Sequence, residues 1–250
     1  MNLRTKAIPR ALGALLLVSL ILSPLFAASN KTPATGHTVD SGTFGIFVNG
    51  RRVAAETFHI EQQPGVSIAR SELKLEDGKG PAQTAELQLA PNGDLRRYEW
   101  KEFSPEKAAA VVQPENDFLV EHVTGTEPAT KPIDQPYILP ASTMIVDDYF
   151  FSHREILAWR YLAGCTPEAG KGCKLTRQQY AVLVPRARSP IVVTIEYAGR
   201  EKINLKGQQM ELDRFDLTAD GADWAMWLNP SDHKLMRIVI AADNTEVVRD

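Results

Sequence analysis

The sequence lacks most of the motifs that carry enzyme chemistry. Two cysteines and five histidines are present, and no histidine pair has the H-x-H or H-E-x-x-H spacing of a zinc site. A P-loop, a dinucleotide-binding glycine fingerprint and a G-x-S-x-G nucleophile elbow are also missing. We therefore expect no catalytic residue set, no cofactor and no metal.

Clusters of basic residues are also missing. No basic run is longer than Arg51-Arg52 or Arg96-Arg97, whereas nucleic-acid binding needs a concentrated positive surface. The sequence thus excludes nucleic acid as the expected partner.

The longest apolar run, Leu12–Leu22, is too short for a permanent membrane span, which needs about 20 residues. The segment before it is positive and contains Arg4, Lys6 and Arg10. Small residues follow, which predicts a signal peptide over residues 1–28 with cleavage near Ala27 or Ala28. No cysteine stands at the cleavage site, so we expect a periplasmic protein without a lipid anchor and without a membrane span in the mature chain.

Cleavage would leave about 222 of the 250 residues. It would remove three of the 28 basic residues and none of the 31 acidic ones, so 25 against 31 remain and the net charge becomes −6. The polar segment 29–41 is typical of a disordered leader. The length and the hydrophobic content of 44% predict one domain over residues 42–250.

Seven residues separate the two cysteines, Cys165 and Cys173, and this segment contains glycine and proline. In an oxidising compartment this arrangement predicts a local disulfide. The alternatives are half of a metal site, which lacks companion ligands, and a redox pair, which lacks C-x-x-C spacing.

The first part of the domain reads as an antiparallel meander. Phe44, Ile46 and Val48 alternate with other residues, and Asn49-Gly50 is a two-residue hairpin signal. Further strands are predicted at Val53–Ile60, Val66–Leu75, Thr84–Leu89, Leu95–Phe103 and Asp117–Val123. Tight turns between short strands leave no room for the crossovers that parallel strands require. Residues 124–140 carry four prolines and predict a loop or an extended crossing.

One helix is predicted over Ser142–Leu162, with Asp147 and Asp148 in its early turns and Gly164 as its stop. Strands return after it, at Gln178–Val184, Ile191–Tyr197, Glu201–Leu205, Met210–Thr218, Asp223–Leu228, Lys234–Ala241 and Thr245–Arg249. The apolar parity switches between Leu212 and Phe215, which predicts a bulge near 213–214. The fold class is α+β: a strongly curved antiparallel sheet, an unclosed barrel, with one central helix on its concave face.

Large aromatic residues mark the candidate binding site. Residues 223–228 place large apolar groups on both faces of a strand, and a helix against a concave sheet can enclose an apolar pocket. The residues expected to line it are Tyr149, Phe150, Leu157, Tyr161, Trp224 and Trp227. The alternative, favoured by this reasoning, is that the helix completes the core.

The segments Phe44–Gly50, Leu139–Leu162 and Trp224–Asn229, the last followed by Lys234–Ile238, resemble the DUF3108 type of exported bacterial proteins of unknown function. Asn229 stands where aspartate is commoner in that family. The resemblance implies a half-barrel like that of lipoprotein carriers, and lipid or lipoprotein handling by analogy of fold.

Three functions follow as hypotheses. The first is a non-enzymatic periplasmic protein that binds an acyl chain or an apolar polypeptide segment in envelope biogenesis, with a lipid or an envelope protein as its partner. The second is an envelope scaffold that uses a sheet edge or an exposed aromatic patch. The third is an enzyme with His153 as general base, which requires that His153 lie in a cleft.

Overall fold

The structure is a computed structural model, and the part of the chain that it describes begins at residue 36. The described residues are 36–104, 107–125, 132–168, 172–219 and 221–250, and the description of 166–168 and 172–173 covers the backbone alone. The predicted signal peptide, residues 1–28, lies outside them, as does the first part of the predicted leader.

Within these residues the chain forms 17 β-strands, one α-helix and one short 3₁₀ helix. The strands are β1 His37–Val48, β2 Arg51–Gln63, β3 Val66–Leu75, β4 Gln83–Leu89, β5 Leu95–Glu102, β6 Ala108–Glu115, β7 Phe118–Thr124, β8 Ile133–Tyr137, β9 Met144–Ile145, β10 Thr166–Glu168, β11 Gly172–Lys174, β12 Gln178–Val184, β13 Ser189–Leu205, β14 Gln208–Ala219, β15 Ala222–Leu228, β16 Leu235–Ile240 and β17 Thr245–Arg249. The helix α1 spans Ser152–Ala163, and the 3₁₀ helix spans Ala241–Asp243.

Fifteen of these strands form one sheet. Its order is β8-β7-β6-β5-β4-β3-β2-β1-β17-β16-β15-β14-β13-β12-β9, and β10 and β11 form a separate hairpin. Neighbours in the large sheet are antiparallel apart from β9, which runs parallel to β12. The terminal strands β8 and β9 are not neighbours, so the sheet is not closed. This confirms the predicted unclosed, mainly antiparallel sheet.

The sheet rolls up because its two halves meet beside β5. The backbone N–H of Leu95 donates to the carbonyl oxygen of Ala141 at 2.7 Å, shortly before β9. The turn after β12 reaches the other end of β5, where Arg186 Nη2 donates at 2.8 Å to Oε1 of Gln83, the residue paired with Glu102. The inner face follows the period of two expected for strands. In β2, for example, the buried residues are Ala54, Glu56, Phe58 and Ile60.

The helix fills the concave face of the roll. Ser152–Ala158 are all buried, as is Tyr161, so the sheet surrounds the first two turns of α1. The predicted position of the helix on the concave face is confirmed. Among the described residues no helix combines the length and the hydropathy needed to cross a membrane.

The predicted start of the helix at Ser142 is wrong, because α1 begins ten residues later. Met144 and Ile145 instead form β9, paired with β12. Asp147 lies in a turn and accepts a hydrogen bond from the N–H of Tyr149 at 3.2 Å. Asp147 and Asp148 therefore precede the helix rather than occupy its first turn. The predicted end is confirmed, since Gly164 is the C-terminal cap.

The boundary of the predicted leader also needs correction. Residues 37–41 belong to β1 and pair with the end of β2. Their attachment comes from tertiary contacts, because the buried carboxylate of Asp40 accepts a hydrogen bond from Arg249 Nη2 at 2.7 Å.

Three further expectations change in the strands. Within residues 124–140, predicted as a loop or an extended crossing, Ile133–Tyr137 form β8, and this strand tolerates Pro136 because it lies at the edge of the sheet. The two strands predicted on either side of residue 198 are one strand, β13. The bulge predicted near 213–214 lies across from that position, in β13: Tyr197 pairs with Phe215 and Gly199 with Arg214, which leaves Ala198 as the extra residue.

The cysteine pair lies after the helix. Cys165 follows α1, and Cys173 lies in β11 of the small hairpin. The side chain of Cys173 is outside the description, so the disulfide stays a prediction.

Candidate functional site

An apolar pocket opens at the end of the roll where α1 begins. Its volume is about 450 Å³. Apolar side chains form most of its wall, namely Ile46, Val48, Val53, Ala54, Leu73, Leu75, Ala82, Phe151 and Ile240. Polar and charged residues complete it, namely Gln83, Glu102, Ser104, Asp148, Tyr149, Asp243 and Thr245. We call this cavity the mouth pocket.

The mouth pocket exists because seven neighbouring strands end around the start of the helix. They are β5, β4, β3, β2, β1, β17 and β16, consecutive in the sheet. The tight β1–β2 turn brings Val48 and Val53 together, with Asn49 and Gly50 in the left-handed region as a two-residue hairpin requires. Leu75 continues the inward face of β3 beyond Leu73, where no further strand covers it, and remains 39% exposed.

The six residues predicted to line a pocket do not share one cavity. Tyr149 lies at the rim of the mouth pocket and is 46% exposed. Phe150, Leu157 and Tyr161 are buried in the core. The ring of Tyr161 makes a T-shaped contact with Phe215, and its hydroxyl accepts a hydrogen bond from the N–H of Tyr197 at 3.0 Å.

The two tryptophans lie elsewhere, beside a depression of about 520 Å³ formed by β14, β15 and β16. Trp224 packs against the guanidinium of Arg154 at 4.5 Å. Trp227 donates through Nε1 to Glu201 Oε1 at 2.5 Å and lies between the guanidinium groups of Arg214 and Arg237.

Sequence reasoning missed most of the mouth pocket. Its wall comes from the last apolar residue of several strands, and a strand pattern alone does not tell which strand ends meet. The usable signal was Leu75, an apolar residue in phase with Leu73 and two positions before the Asp77-Gly78 turn.

Arg186 holds Tyr149 in place at the rim. Its guanidinium lies 4.3 Å from the ring centroid of Trp100 and 4.7 Å from that of Tyr149, a cation–π arrangement on two rings. The same group donates to Glu102 at 3.2 Å and to Gln83 at 2.8 Å. One side of the Tyr149 ring is therefore occupied by the protein itself.

Below the rim, Glu56 caps the helix from strand β2. Its buried carboxylate accepts hydrogen bonds from the N–H of Phe151 at 2.6 Å and of Ser152 at 3.3 Å. It also accepts from the hydroxyls of Ser71 and Ser152, each at 2.7 Å. Desolvation raises the pKa of Glu56, although these hydrogen bonds oppose the shift. The sequence signal was an acidic residue at an inward position between Ala54 and Phe58.

Arg154, almost fully buried, carries the compensating charge. Its Nη1 donates to the carbonyl oxygens of Asp147 at 2.8 Å and Phe150 at 3.2 Å. The guanidinium also packs on the rings of Phe151 and Trp224. Burial lowers the pKa of Arg154 to about 10, so the group remains charged at neutral pH.

His153 is part of this buried cluster. Its Nδ1 accepts a hydrogen bond from the N–H of Asp147 at 3.2 Å, and its ring packs against Tyr98 and Phe150. Burial lowers the pKa of His153 to about 4, so the imidazole is neutral at pH 7. Asp147 and His153 meet because Asp147 lies before the helix rather than within it. His153 lines neither the mouth pocket nor the depression beside the tryptophans.

A second buried cluster ties the helix to both ends of the domain. Glu155 Oε1 accepts from the N–H of Leu235 at 2.8 Å. Asp40 accepts from Arg249 and lies 3.1 Å from Lys234 Nζ. Burial, reinforced by the charge of Asp40, raises the pKa of Glu155 to about 9, whereas Arg249 and Lys234 hold the pKa of Asp40 low. Within the described residues no group of three or more His, Cys, Asp or Glu side chains could hold a metal ion.

Comparison with known proteins gives a likeness of fold alone. No family model matches the chain, and no curated protein shows significant sequence similarity to it. A similar solved structure is the crystal structure of a beta-barrel-like protein of domain of unknown function DUF1849 from Brucella abortus, at a TM-score of 0.50 and 8% sequence identity. The match covers 84% of this chain and 94% of that one.

This likeness confirms the coarser part of the resemblance stated from the sequence. The chain has the fold of a bacterial β-barrel-like protein of unknown function. Assignment to the DUF3108 type in particular stays a prediction.

Proposed function

We propose that this protein is a periplasmic, non-enzymatic binding protein that holds an apolar chain in the mouth pocket. The chain would be an acyl chain or an apolar segment of a polypeptide, taken up during envelope biogenesis. The observation that carries the proposal is the mouth pocket itself. Its volume of about 450 Å³ falls within the range of small-molecule sites, and its wall is mainly apolar.

The position of the pocket supports this function further. The helix fills the concave face, so the site is the open end of the roll and not the inner surface as a whole. Val53 and Leu75 leave apolar surface in contact with water there. Each methylene group that leaves water on binding contributes about 0.8 kcal/mol. A chain inserted beside Leu73 and Phe151 would also cover this exposed surface.

The test is a titration of the delipidated protein with the neutral fluorescent probe N-phenyl-1-naphthylamine. We expect saturable binding that weakens about tenfold in Leu75→Asp, because a carboxylate in the apolar wall removes about 1.4 kcal/mol of contact. Val192→Asp is the matched control, since Val192 is 54% exposed and does not line the pocket. Absence of binding, or equal loss in both variants, would reject the proposal.

The scaffold function is a second candidate, supported by the free edge of the sheet. Among the described strands, β7 is the one partner of β8. Ile138, directly after β8, is 90% exposed, and Ile133 and Phe118 of the same strand pair are also exposed. A photo-crosslinking residue at position 138, with position 192 as control, tests this in the exporting cell. A scaffold requires a crosslink to one defined envelope protein from position 138.

The enzymatic alternative with His153 as base lacks comparable support. The required cleft is not provided by the pockets described above, and the imidazole is packed between Tyr98 and Phe150.

A further inference from the structure

Among the described residues, the charged side chains that line the mouth pocket are all acidic. They are Glu102, Asp148 and Asp243, and no described lysine, arginine or histidine lines this cavity. Glu102 is neutralised within the protein, because Arg186 Nη1 donates to it at 3.2 Å. Asp148 and Asp243 thus remain as the two free charges of the rim.

Both free carboxylates lack partners within the described part of the chain. Neither Asp148 nor Asp243 accepts a side-chain hydrogen bond or forms an ion pair there, and both residues are exposed. The two come from distant parts of the chain, the turn before α1 and the 3₁₀ helix between β16 and β17. Desolvation raises the pKa of Asp148, and the positive charges of Arg154 and Arg186 offset only part of this shift.

An aromatic ring stands next to these charges. Tyr149 follows Asp148 directly, lines the same pocket and is half-exposed. A cation is stabilised by an aromatic face and by a nearby carboxylate, which is how proteins recognise quaternary ammonium groups. A carboxylate or phosphate head group at the same position would instead be repelled by Asp148 and Asp243.

We infer that the mouth pocket takes an amphiphile whose acyl or similar apolar chain is joined to a cationic head group, an amine or a quaternary ammonium. This inference rests on the proposed function and specifies its ligand. The chain would occupy the apolar wall, and the head group would lie at the rim between Asp148, Asp243 and the free side of Tyr149. Fatty acids would be poor ligands for the same reason.

The experiment compares three ligands of equal chain length, namely decanol, decylammonium and decanoate, by calorimetric titration below their micelle concentrations. In the native protein decylammonium should bind about tenfold more tightly than decanoate, with decanol between them. Raised salt should reduce this preference, because the rim is solvent-exposed.

The variant Asp148→Asn/Asp243→Asn should bind decylammonium and decanoate within about twofold of each other while its affinity for decanol is unchanged. Glu211→Gln, which removes an exposed carboxylate outside the pocket, should retain the full preference. Decanoate that binds as tightly as decylammonium, or a preference that survives in the double variant, overturns the inference and leaves the apolar site intact. Decanol that does not bind overturns the proposed function itself.

Discussion

The buried cap of the helix offers the sharpest test of the structure. Glu56, on strand β2, satisfies the first N–H groups of α1 across 95 residues of sequence, because its carboxylate accepts from Phe151 and Ser152. Two hydroxyls donate to the same carboxylate. Its described hydrogen-bond partners are therefore all donors, and Phe151, the N-terminal cap residue, supplies no side-chain hydrogen bond.

Replacement of Glu56 by glutamine keeps the shape and removes the charge. The amide oxygen can still accept from Phe151, while the NH₂ group can donate to the two serine hydroxyls. Glutamine loses the charge-assisted part of the hydrogen bonds and the interaction with the helix dipole, but it also removes the desolvation cost that raises the pKa of Glu56, so we expect a net loss of about 1 kcal/mol. Glu56→Ala also leaves buried donors without acceptors, which raises the expected cost to about 4 kcal/mol.

The assay is equilibrium unfolding in urea at pH 7, with circular dichroism and tryptophan fluorescence as two probes. Glu72→Gln is the matched control on the neighbouring strand, because that side chain is exposed and forms no hydrogen bond within the described residues. We expect its effect to stay within about 0.5 kcal/mol. Amide exchange should also show that the first turn of α1 opens more readily in Glu56→Gln.

The reasoning is refuted if Glu56→Gln is no less stable than Glu72→Gln. It is equally refuted if Glu56→Ala costs under about 1 kcal/mol, since a buried carboxylate with four donors cannot then be the cap of this helix.

Three further predictions concern buried titratable groups and the bulge. Burial lowers the pKa of His153 from 6.5 to about 4, so the folded protein resists protonation of this ring. The free energy of unfolding should therefore fall by about 3 kcal/mol as the pH drops from 6.5 to 4. Urea unfolding between pH 7 and pH 4 should show this loss in the native chain and not in His153→Gln. For Glu155 the pH dependence of stability runs in the opposite direction. Its pKa is raised from 4.5 to about 9, so its stabilising contribution is full below pH 4.5 and is lost as the pH rises toward 9. Glu155→Gln should accordingly gain at least about 2 kcal/mol relative to the native chain between pH 5 and pH 9, and a constant difference would contradict the assigned protonation. Gly199 has a φ of 123° in the β13 bulge, a backbone conformation that valine adopts only with strain. Gly199→Val should lower the free energy of unfolding by about 2 kcal/mol, while Ala198→Ser should change it little. Equal effects of the two variants would show that the strain does not lie at Gly199.

Local sequence patterns predicted much of the sheet. Strands β3, β12 and β17 have the bounds that alternation and turn residues indicate, and the Asn49-Gly50 hairpin is where its dipeptide predicts it. These elements depend on neighbours in the chain, which is why their signals are readable. The antiparallel order followed from the short turns, which leave no room for crossovers.

Long-range contacts explain why the predicted start of the helix and the predicted end of the leader were wrong. The apolar spacing of 142–151 fits a helix, yet Met144 and Ile145 gain more by pairing with β12. The start of β1 is ordered by Arg249, more than 200 residues away. The helix begins where Glu56 can cap it. The sequence around Ser152 does not indicate that Glu56 is the cap, because the two residues are far apart in the chain.

The sequence by itself determined a curved antiparallel sheet with a single helix, because period, turn chemistry and composition are local properties of the chain. Tertiary structure alone decided that the helix begins at Ser152 and that the open site lies at one end of the roll, because both depend on which distant residues and strand ends meet. It also decided that two aspartates, 95 residues apart in the chain, stand unpaired at the rim of one apolar pocket. That juxtaposition has no trace in any sequence window, since it arises when the fifteen-stranded sheet rolls around α1.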